Sequence, residues 1–86
     1  MVKVEYFYNV ACTHCPAARA LVREVVSRNP GIEYVEVNTY SEAGIRRGMA
    51  LKLMAIPAVA VNNEVKLIGW PFEAADLQKC IDEAQA

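Results

Sequence analysis

The chain has 86 residues, of which 55% are hydrophobic and 22% are charged. This length accommodates one small domain, and the hydrophobic content is too high for a disordered chain, so we expect residues 1–86 to form a single domain. A net charge of −1 excludes a strongly basic nucleic-acid-binding protein and a polybasic membrane patch. Three cysteines exclude a complete set of intramolecular disulfides, since one cysteine must remain unpaired.

The N-terminal half of the chain predicts a strand, a helix and a second strand. Residues 2–8 favour a strand because valine, tyrosine and phenylalanine dominate this segment. The helix is indicated by apolar residues at intervals of three and four, namely Ala18, Leu21, Val22 and Val25. An Asn-Pro-Gly turn at residues 29–31 ends this helix, and residues 32–37 predict the next strand.

The C-terminal half predicts a helix, a hairpin and a last helix. Ser41 is a suitable cap for the first of these helices, which must end before Pro57. Residues 58–61 are wholly apolar and favour a buried strand, and residues 65–68 favour its antiparallel partner. The Asn62-Asn63 step between them tolerates positive φ and suits a tight turn. The last helix shows helical spacing of Leu77, Cys80, Ile81 and Ala84.

These elements give the order β-α-β-α-β-β-α, which is an α/β arrangement. A crossover through the first helix makes the first two strands parallel, while the last two strands form a hairpin. We therefore expect a mixed four-stranded sheet flanked by three helices.

The motif that carries the chemistry is Cys12-Thr13-His14-Cys15, which follows the first strand and opens the first helix. The positive end of a helix dipole stabilises a thiolate, and a thiolate is the species that attacks a disulfide. Two intervening residues bring both sulfurs within bonding distance. We expect Cys12 at the helix start to be the exposed attacking thiol, and Cys15, one turn further in, to be the resolving thiol.

Together these features resemble the thioredoxin/glutaredoxin superfamily, in particular its short, glutaredoxin-like thioredoxins. The resemblance covers nearly the whole chain, and three segments carry it: residues 12–16, the Ala55-Ile56-Pro57 step before the apolar strand, and Gly69 at the close of the hairpin. It implies a thioredoxin-like fold and a thiol–disulfide oxidoreductase that acts as an electron carrier. It also implies that Pro57 is cis and lies against the disulfide, and that the backbone of Ile56 pairs with the bound substrate.

The sequence departs from the family pattern at several positions. Thioredoxins have Trp before the first cysteine and Gly-Pro between the pair, whereas this chain has Ala11 and then Thr13-His14. Tyr6 stands where thioredoxins carry a buried aspartate, which puts the usual proton acceptor of the second cysteine in doubt. Residues 69–73 read Gly-Trp-Pro-Phe-Glu in place of the Gly-Gly-Asp that holds glutathione in glutaredoxins, so we do not expect glutathione binding.

Four further residues have a functional and a structural interpretation. Thr13 and His14 lie between the cysteines, and a donor from His14 to the Cys12 thiolate is expected to stabilise the reduced form and favour oxidant behaviour. Trp70 is a candidate for the substrate groove, or else a loop aromatic that packs on its neighbours. Arg19 is expected on the solvated face of the first helix, the alternative being that it adds positive potential near the thiols.

Two other classes of function remain open at this stage. Cys12, His14, Cys15 and Cys80 offer soft ligands for a zinc or copper module or a metallochaperone, although Cys80 suits a small core position on the last helix. A redox-inert binding module on the same fold has no need of the thiols. For the redox function we expect no cofactor or metal, disulfide-containing protein substrates, a reductase or thiol donor, no nucleic acid or membrane partner, and a cytoplasmic monomer.

Overall fold

The computed structural model of the protein describes residues 2–86, and the element order predicted from the sequence is confirmed. The strands are β1 (Lys3–Tyr8), β2 (Glu33–Asn38), β3 (Ala58–Val61) and β4 (Glu64–Ile68). The helices are α1 (Cys15–Ser27), α2 (Glu42–Ala50) and α3 (Ala74–Gln85). No helix within residues 2–86 is long and apolar enough to cross a membrane.

The four strands form one mixed sheet in the order β2-β1-β3-β4. β1 runs parallel to β2 and antiparallel to β3, and β3 runs antiparallel to β4. The turn between β3 and β4 consists of Asn62 and Asn63, with φ of 50° and 70°. Both values lie in the left-handed region that asparagine tolerates, so the predicted tight hairpin is confirmed.

The larger core lies between the sheet and the helices α1 and α3. Side chains alternate between the two faces of a strand, so Val4 and Tyr6 of β1 point to the same face. They pack there against buried residues of the two helices, namely Ala18, Val22, Val25, Leu77 and Ile81. Burial of each large apolar side chain contributes about 1.5–3 kcal/mol, so this layer is the main source of stability.

The opposite face of the sheet carries a thinner core, which α2 and the segment after it cover. Phe7, Ala58 and Ala60 are buried there, with Leu51 and Leu53 packed against them. Ser41 caps α2, since its Oγ accepts a hydrogen bond from the Gly44 N–H at 3.0 Å.

A buried ion pair ties this same face together. The Glu5 side chain is 4% exposed and accepts hydrogen bonds from Arg47 of α2 at 2.8 and 2.7 Å. These hydrogen bonds lower the pKa of the Glu5 carboxyl, because they favour its charged form more than burial opposes it.

Three segments that the sequence predicts to be functional leave the sheet at one end. The register pairs Tyr8 at the end of β1 with Asn38 at the end of β2, and Ala58 at the start of β3 with Ile68 at the end of β4. Phe7 of β1 also lies opposite Ala58. The same end of the sheet therefore carries the loop of the two cysteines, the Ile56-Pro57 step and the Gly69-Trp70 step.

Candidate redox centre

The loop that carries the two cysteines begins with a turn held by Asn9. The Cys12 N–H donates to the Asn9 carbonyl at 3.3 Å, and the Ala11 N–H donates to Asn9 Oδ1 at 2.9 Å. Because this turn occupies the chain up to Cys12, α1 begins only at Cys15, with His14 at the N-cap position. The expectation that Cys12 itself starts the helix is therefore wrong by three residues.

Cys12 and Cys15 are joined by a disulfide, with their Cα atoms 5.3 Å apart. This separation lies within the usual range for a disulfide. Cys12 is partly exposed, whereas Cys15 is only 3% exposed. The difference in burial that the sequence predicts for the two cysteines is confirmed. Pro16 occupies the first turn of α1, where its missing N–H costs no hydrogen bond.

Tyr6 anchors the cysteine loop to the centre of the sheet. Its hydroxyl donates to the backbone carbonyl of Cys15 at 2.6 Å, and its ring is fully buried. Burial raises the pKa of Tyr6 to about 12, so the hydroxyl keeps its proton over the physiological range. At the position where thioredoxins carry an aspartate, this chain therefore has a donor that holds the backbone. The sequence signal for this role is an inward-facing tyrosine, since a buried hydroxyl requires a partner.

Arg19 does not lie on the solvated face, so that expectation is wrong. Its guanidinium carbon lies 4.4 Å above the centroid of the Tyr8 ring, and its side chain is 33% exposed. The Tyr8 ring stacks in turn on Tyr6, with centroids 5.9 Å apart. The sequence signal for this placement is the spacing, because residue 19 follows Cys15 by one helical turn and lies on the same side of α1.

A pocket of about 220 Å³ opens beside the disulfide. Its lining combines both cysteines with a cationic and an aromatic side chain and the start of the loop: Tyr8, Asn9, Val10, Cys12, Cys15, Pro16 and Arg19. A group from another molecule that enters this pocket thus meets the disulfide and the Arg19 side chain together.

Thr13 and His14 are both exposed at the tip of the loop. The side chain of His14 makes no capping hydrogen bond to α1. The imidazole therefore remains available to other groups, and its role toward the Cys12 sulfur stays a prediction.

The Ile56–Pro57 peptide bond is cis, as the resemblance implies. Pro57 is buried, and its carbonyl accepts a hydrogen bond from the Gly69 N–H at 2.7 Å. Ile56 packs against the smaller core, and Trp70 packs edge-to-face on Phe72 with centroids 5.2 Å apart. These residues lie at the same end of the sheet as the cysteines, but they do not line the pocket at the disulfide.

The ligand set considered for a metal module is not assembled. Across residues 2–86 no group of three or more histidine, cysteine, aspartate or glutamate side chains is placed to hold a metal ion. Cys80 lines a separate pocket together with Lys66, and burial raises the pKa of its thiol. The third cysteine packs against the larger core, as the sequence predicts.

Comparison with known proteins agrees with this geometry. A family model described as "Thioredoxin domain" matches residues 2–82. A thioredoxin of Methanocaldococcus jannaschii is 35% identical over 77 residues, which cover 86% of this chain and 86% of that protein. Oxidised thioredoxin O2 of Arabidopsis thaliana superposes with a TM-score of 0.75 at 15% identity, covering 96% and 74% of the two chains. A complex of ferredoxin:thioredoxin reductase with thioredoxin f2 gives a TM-score of 0.77 at 14% identity, covering 99% and 78%.

Proposed function

This chain belongs to the thioredoxin family and is a thiol–disulfide oxidoreductase, and we propose that Cys12 is its attacking thiol and Cys15 its resolving thiol. The observation that carries this assignment is the unequal burial of two bonded cysteines, since Cys12 is partly exposed and Cys15 is nearly buried. A substrate disulfide reaches the exposed sulfur first. The buried sulfur lies within bonding distance and needs no further encounter to release the product.

The proposed reaction starts from the reduced pair. The Cys12 thiolate attacks one sulfur of a substrate disulfide, the substrate S–S bond breaks, and its leaving sulfur takes up a proton. The Cys15 thiol then gives its proton to solvent, and its sulfur attacks the Cys12 sulfur of the mixed disulfide. The bond between Cys12 and the substrate breaks, the intramolecular disulfide forms, and the second substrate sulfur leaves and takes up a proton from solvent. The substrate gains two electrons, which the protein supplies, and two protons, which balance those that the two protein thiols release. No cofactor within the chain takes part in these steps.

The proposed substrate contacts are the backbone of Ile56, the ring of Pro57 and the side chain of Trp70. The support for them is topological, because the segments of all three lie at the same end of the sheet as the cysteines. An extended substrate strand that runs along this end of the sheet would pass all three residues and the disulfide, and interface aromatics such as Trp70 commonly contribute strongly to binding.

The proposed partners are disulfide-containing proteins and a reductase or thiol donor that restores the reduced pair. The thioredoxin f2 complex described above supports the second partner class, since thioredoxin f2 is bound there to a ferredoxin:thioredoxin reductase. We place the protein in the cytoplasm as a monomer, where a reducing thiol pool keeps such pairs in turnover.

Serine variants of the cysteines test the assignment of roles. Cys12→Ser should abolish the reduction of insulin disulfides, because the attacking sulfur is lost. Cys15→Ser should instead accumulate mixed disulfides with its substrates, which non-reducing gels and mass spectrometry detect. Cys80→Ala is the matched control and should retain activity, since Cys80 lies outside the site. Full activity in both serine variants, or trapped complexes in Cys12→Ser alone, would contradict the assignment.

We also propose that Thr13 and His14 tune the pair, His14 by donation of an imidazole N–H to the Cys12 thiolate. Such a donor stabilises the reduced form and raises the reduction potential. His14→Pro should therefore lower the potential measured against a glutathione buffer. His14→Ala serves as the control for the altered backbone and should shift the potential in the same direction. An unchanged or higher potential in both variants would remove His14 from the tuning role.

A further inference from the structure

We propose that Arg19 forms a carboxylate-binding subsite beside the disulfide, which selects protein substrates with an acidic side chain next to the reacting cysteine. This inference rests on the proposed function, because the subsite acts only on molecules that react at Cys12. It adds substrate specificity to that function, and the residue that determines this specificity lies outside the cysteine motif.

The position of Arg19 is the first step of the argument. Its side chain lines the same 220 Å³ pocket as Cys12 and Cys15, so a group bound to the guanidinium lies beside the sulfurs. The guanidinium carbon lies 4.4 Å from the centroid of the Tyr8 ring, so the guanidinium packs on the face of that ring. The side chain is only 33% exposed, which reduces the screening of its charge by water.

The second step is that the buried Nε of Arg19 has no hydrogen-bond partner in the described part of the chain. Its nearest carboxylate oxygen is Oε1 of Glu36 at 3.8 Å, which is beyond hydrogen-bond distance. Both oxygens of Glu36 already accept bonds, from Arg23 at 2.6 and 2.8 Å and from the Tyr34 hydroxyl at 2.7 Å. The Nε donor of Arg19 is thus left without an acceptor, and the guanidinium is a charged partner that a carboxylate entering the pocket can pair with.

The third step is the charge and shape of the pocket. Among residues 2–86, Arg19 is the only charged residue that lines it, and Val10 and Pro16 supply an apolar wall. Arg19, Arg23 and Glu36 together leave one positive charge in excess at this side of α1. A carboxylate on a short aliphatic stem satisfies both features, and this is the side chain of aspartate or glutamate.

The test compares two cyclic peptide disulfides that differ only in Glu or Gln beside one cysteine. Both peptides have blocked termini, so the test position carries the sole carboxylate. We expect wild-type protein to reduce the Glu peptide about tenfold faster in kcat/KM, a factor that corresponds to about 1.4 kcal/mol. Arg19→Gln should bring the ratio of the two kcat/KM values close to one, whatever its effect on the absolute rates. Circular dichroism of the variant shows that it is folded, and the ratio is an internal measure that a general loss of activity does not change.

Two controls separate a local subsite from a general effect of charge. Arg28→Gln removes the same charge from the C-cap position of the same helix, where Arg28 pairs with Glu24, and should keep the preference. Arg19→Lys keeps the charge without the planar fork and should retain part of the preference. The wild-type preference should also shrink with added salt, because dissolved ions weaken the attraction between the guanidinium and the carboxylate.

The possible outcomes distinguish this inference from the proposed function. Equal wild-type rates on the two peptides, or loss of the preference in Arg28→Gln, would overturn the Arg19 subsite while leaving the exchange reaction intact. Failure to reduce either peptide would overturn the proposed function itself. Oxidised glutathione, which also carries carboxylates near its disulfide, is the third substrate. A dependence on Arg19 for this small molecule but not for the peptides would overturn the assignment to protein substrates.

Discussion

The two glycines of α2 are predicted to respond with opposite sign to the same substitution. A Cβ atom at Gly44 would lie 1.8 Å from the Asn38 carbonyl oxygen and 2.7 Å from its carbon. These are backbone atoms at the end of β2, so they cannot rotate away as a side chain does. A Cβ atom at Gly48 meets only Leu53, at 3.7 and 3.8 Å, which is ordinary van der Waals contact.

The magnitudes follow from these contacts. Alanine is favoured over glycine inside a helix by about 1 kcal/mol, so Gly48→Ala should raise the free energy of unfolding by about 0.5–1 kcal/mol. At Gly44 the steric overlap exceeds that gain, and Gly44→Ala should lower the free energy of unfolding by about 2–3 kcal/mol. For a domain of this size such a loss corresponds to a fall in Tm of roughly 8–24 °C.

Urea unfolding followed by circular dichroism measures both variants on the same scale. Gly48→Ala is the matched control, since it makes the same chemical change one helical turn away. A Gly44→Ala variant as stable as wild type would contradict this prediction, because it would mean that α2 is not held against the end of β2. A destabilised Gly48→Ala variant would show that helix propensity does not govern the stability at position 48.

Two further substitutions probe the anchors of the sheet. Tyr6→Phe removes the hydroxyl that holds the Cys15 carbonyl, so we expect a loss of about 1 kcal/mol in unfolding free energy and a slower reduction of insulin. Unchanged activity would limit the hydroxyl to a structural role. Glu5→Gln leaves Arg47 without its carboxylate and should cost about 2 kcal/mol at pH 7. Because the folded-state pKa of Glu5 is lowered, this stabilisation is complete above its ordinary value of 4.5 and is lost as the pH falls through the folded-state value. The difference between wild type and variant should therefore shrink in acid unfolding curves, and a constant difference would contradict the assignment.

The sequence predicts the fold well because its local signals agree with one another. The strands follow their β-branched and aromatic residues, and their predicted limits are correct to within about one residue. The turn at Asn62 and Asn63 follows from the backbone freedom of asparagine. The cysteine motif was found because its spacing and its position between a strand and a helix are both local features.

The features that the sequence did not predict depend on contacts between distant segments. The start of α1 at Cys15 is set by the Asn9 turn, which competes with the first helical turn. The place of Arg19 depends on Tyr8 below it and on Glu36, which is already engaged by a second arginine. No pattern in the sequence predicts that Gly44 lies against the backbone of Asn38 at the end of β2. Each of these facts appears only when the elements are packed.

A redox titration of Cys12 and Cys15 tests the central claim most directly. Protein is equilibrated in buffers of graded potential, free thiols are alkylated, and mass spectrometry counts the tags. Cys80→Ala is used so that only the pair is labelled. We expect a reversible step of two tags between about −280 and −120 mV, the range of working dithiol couples on this fold. A pair that stays oxidised well below about −300 mV would be a structural disulfide, and this result or a pair that never oxidises would rule out disulfide exchange by Cys12 and Cys15.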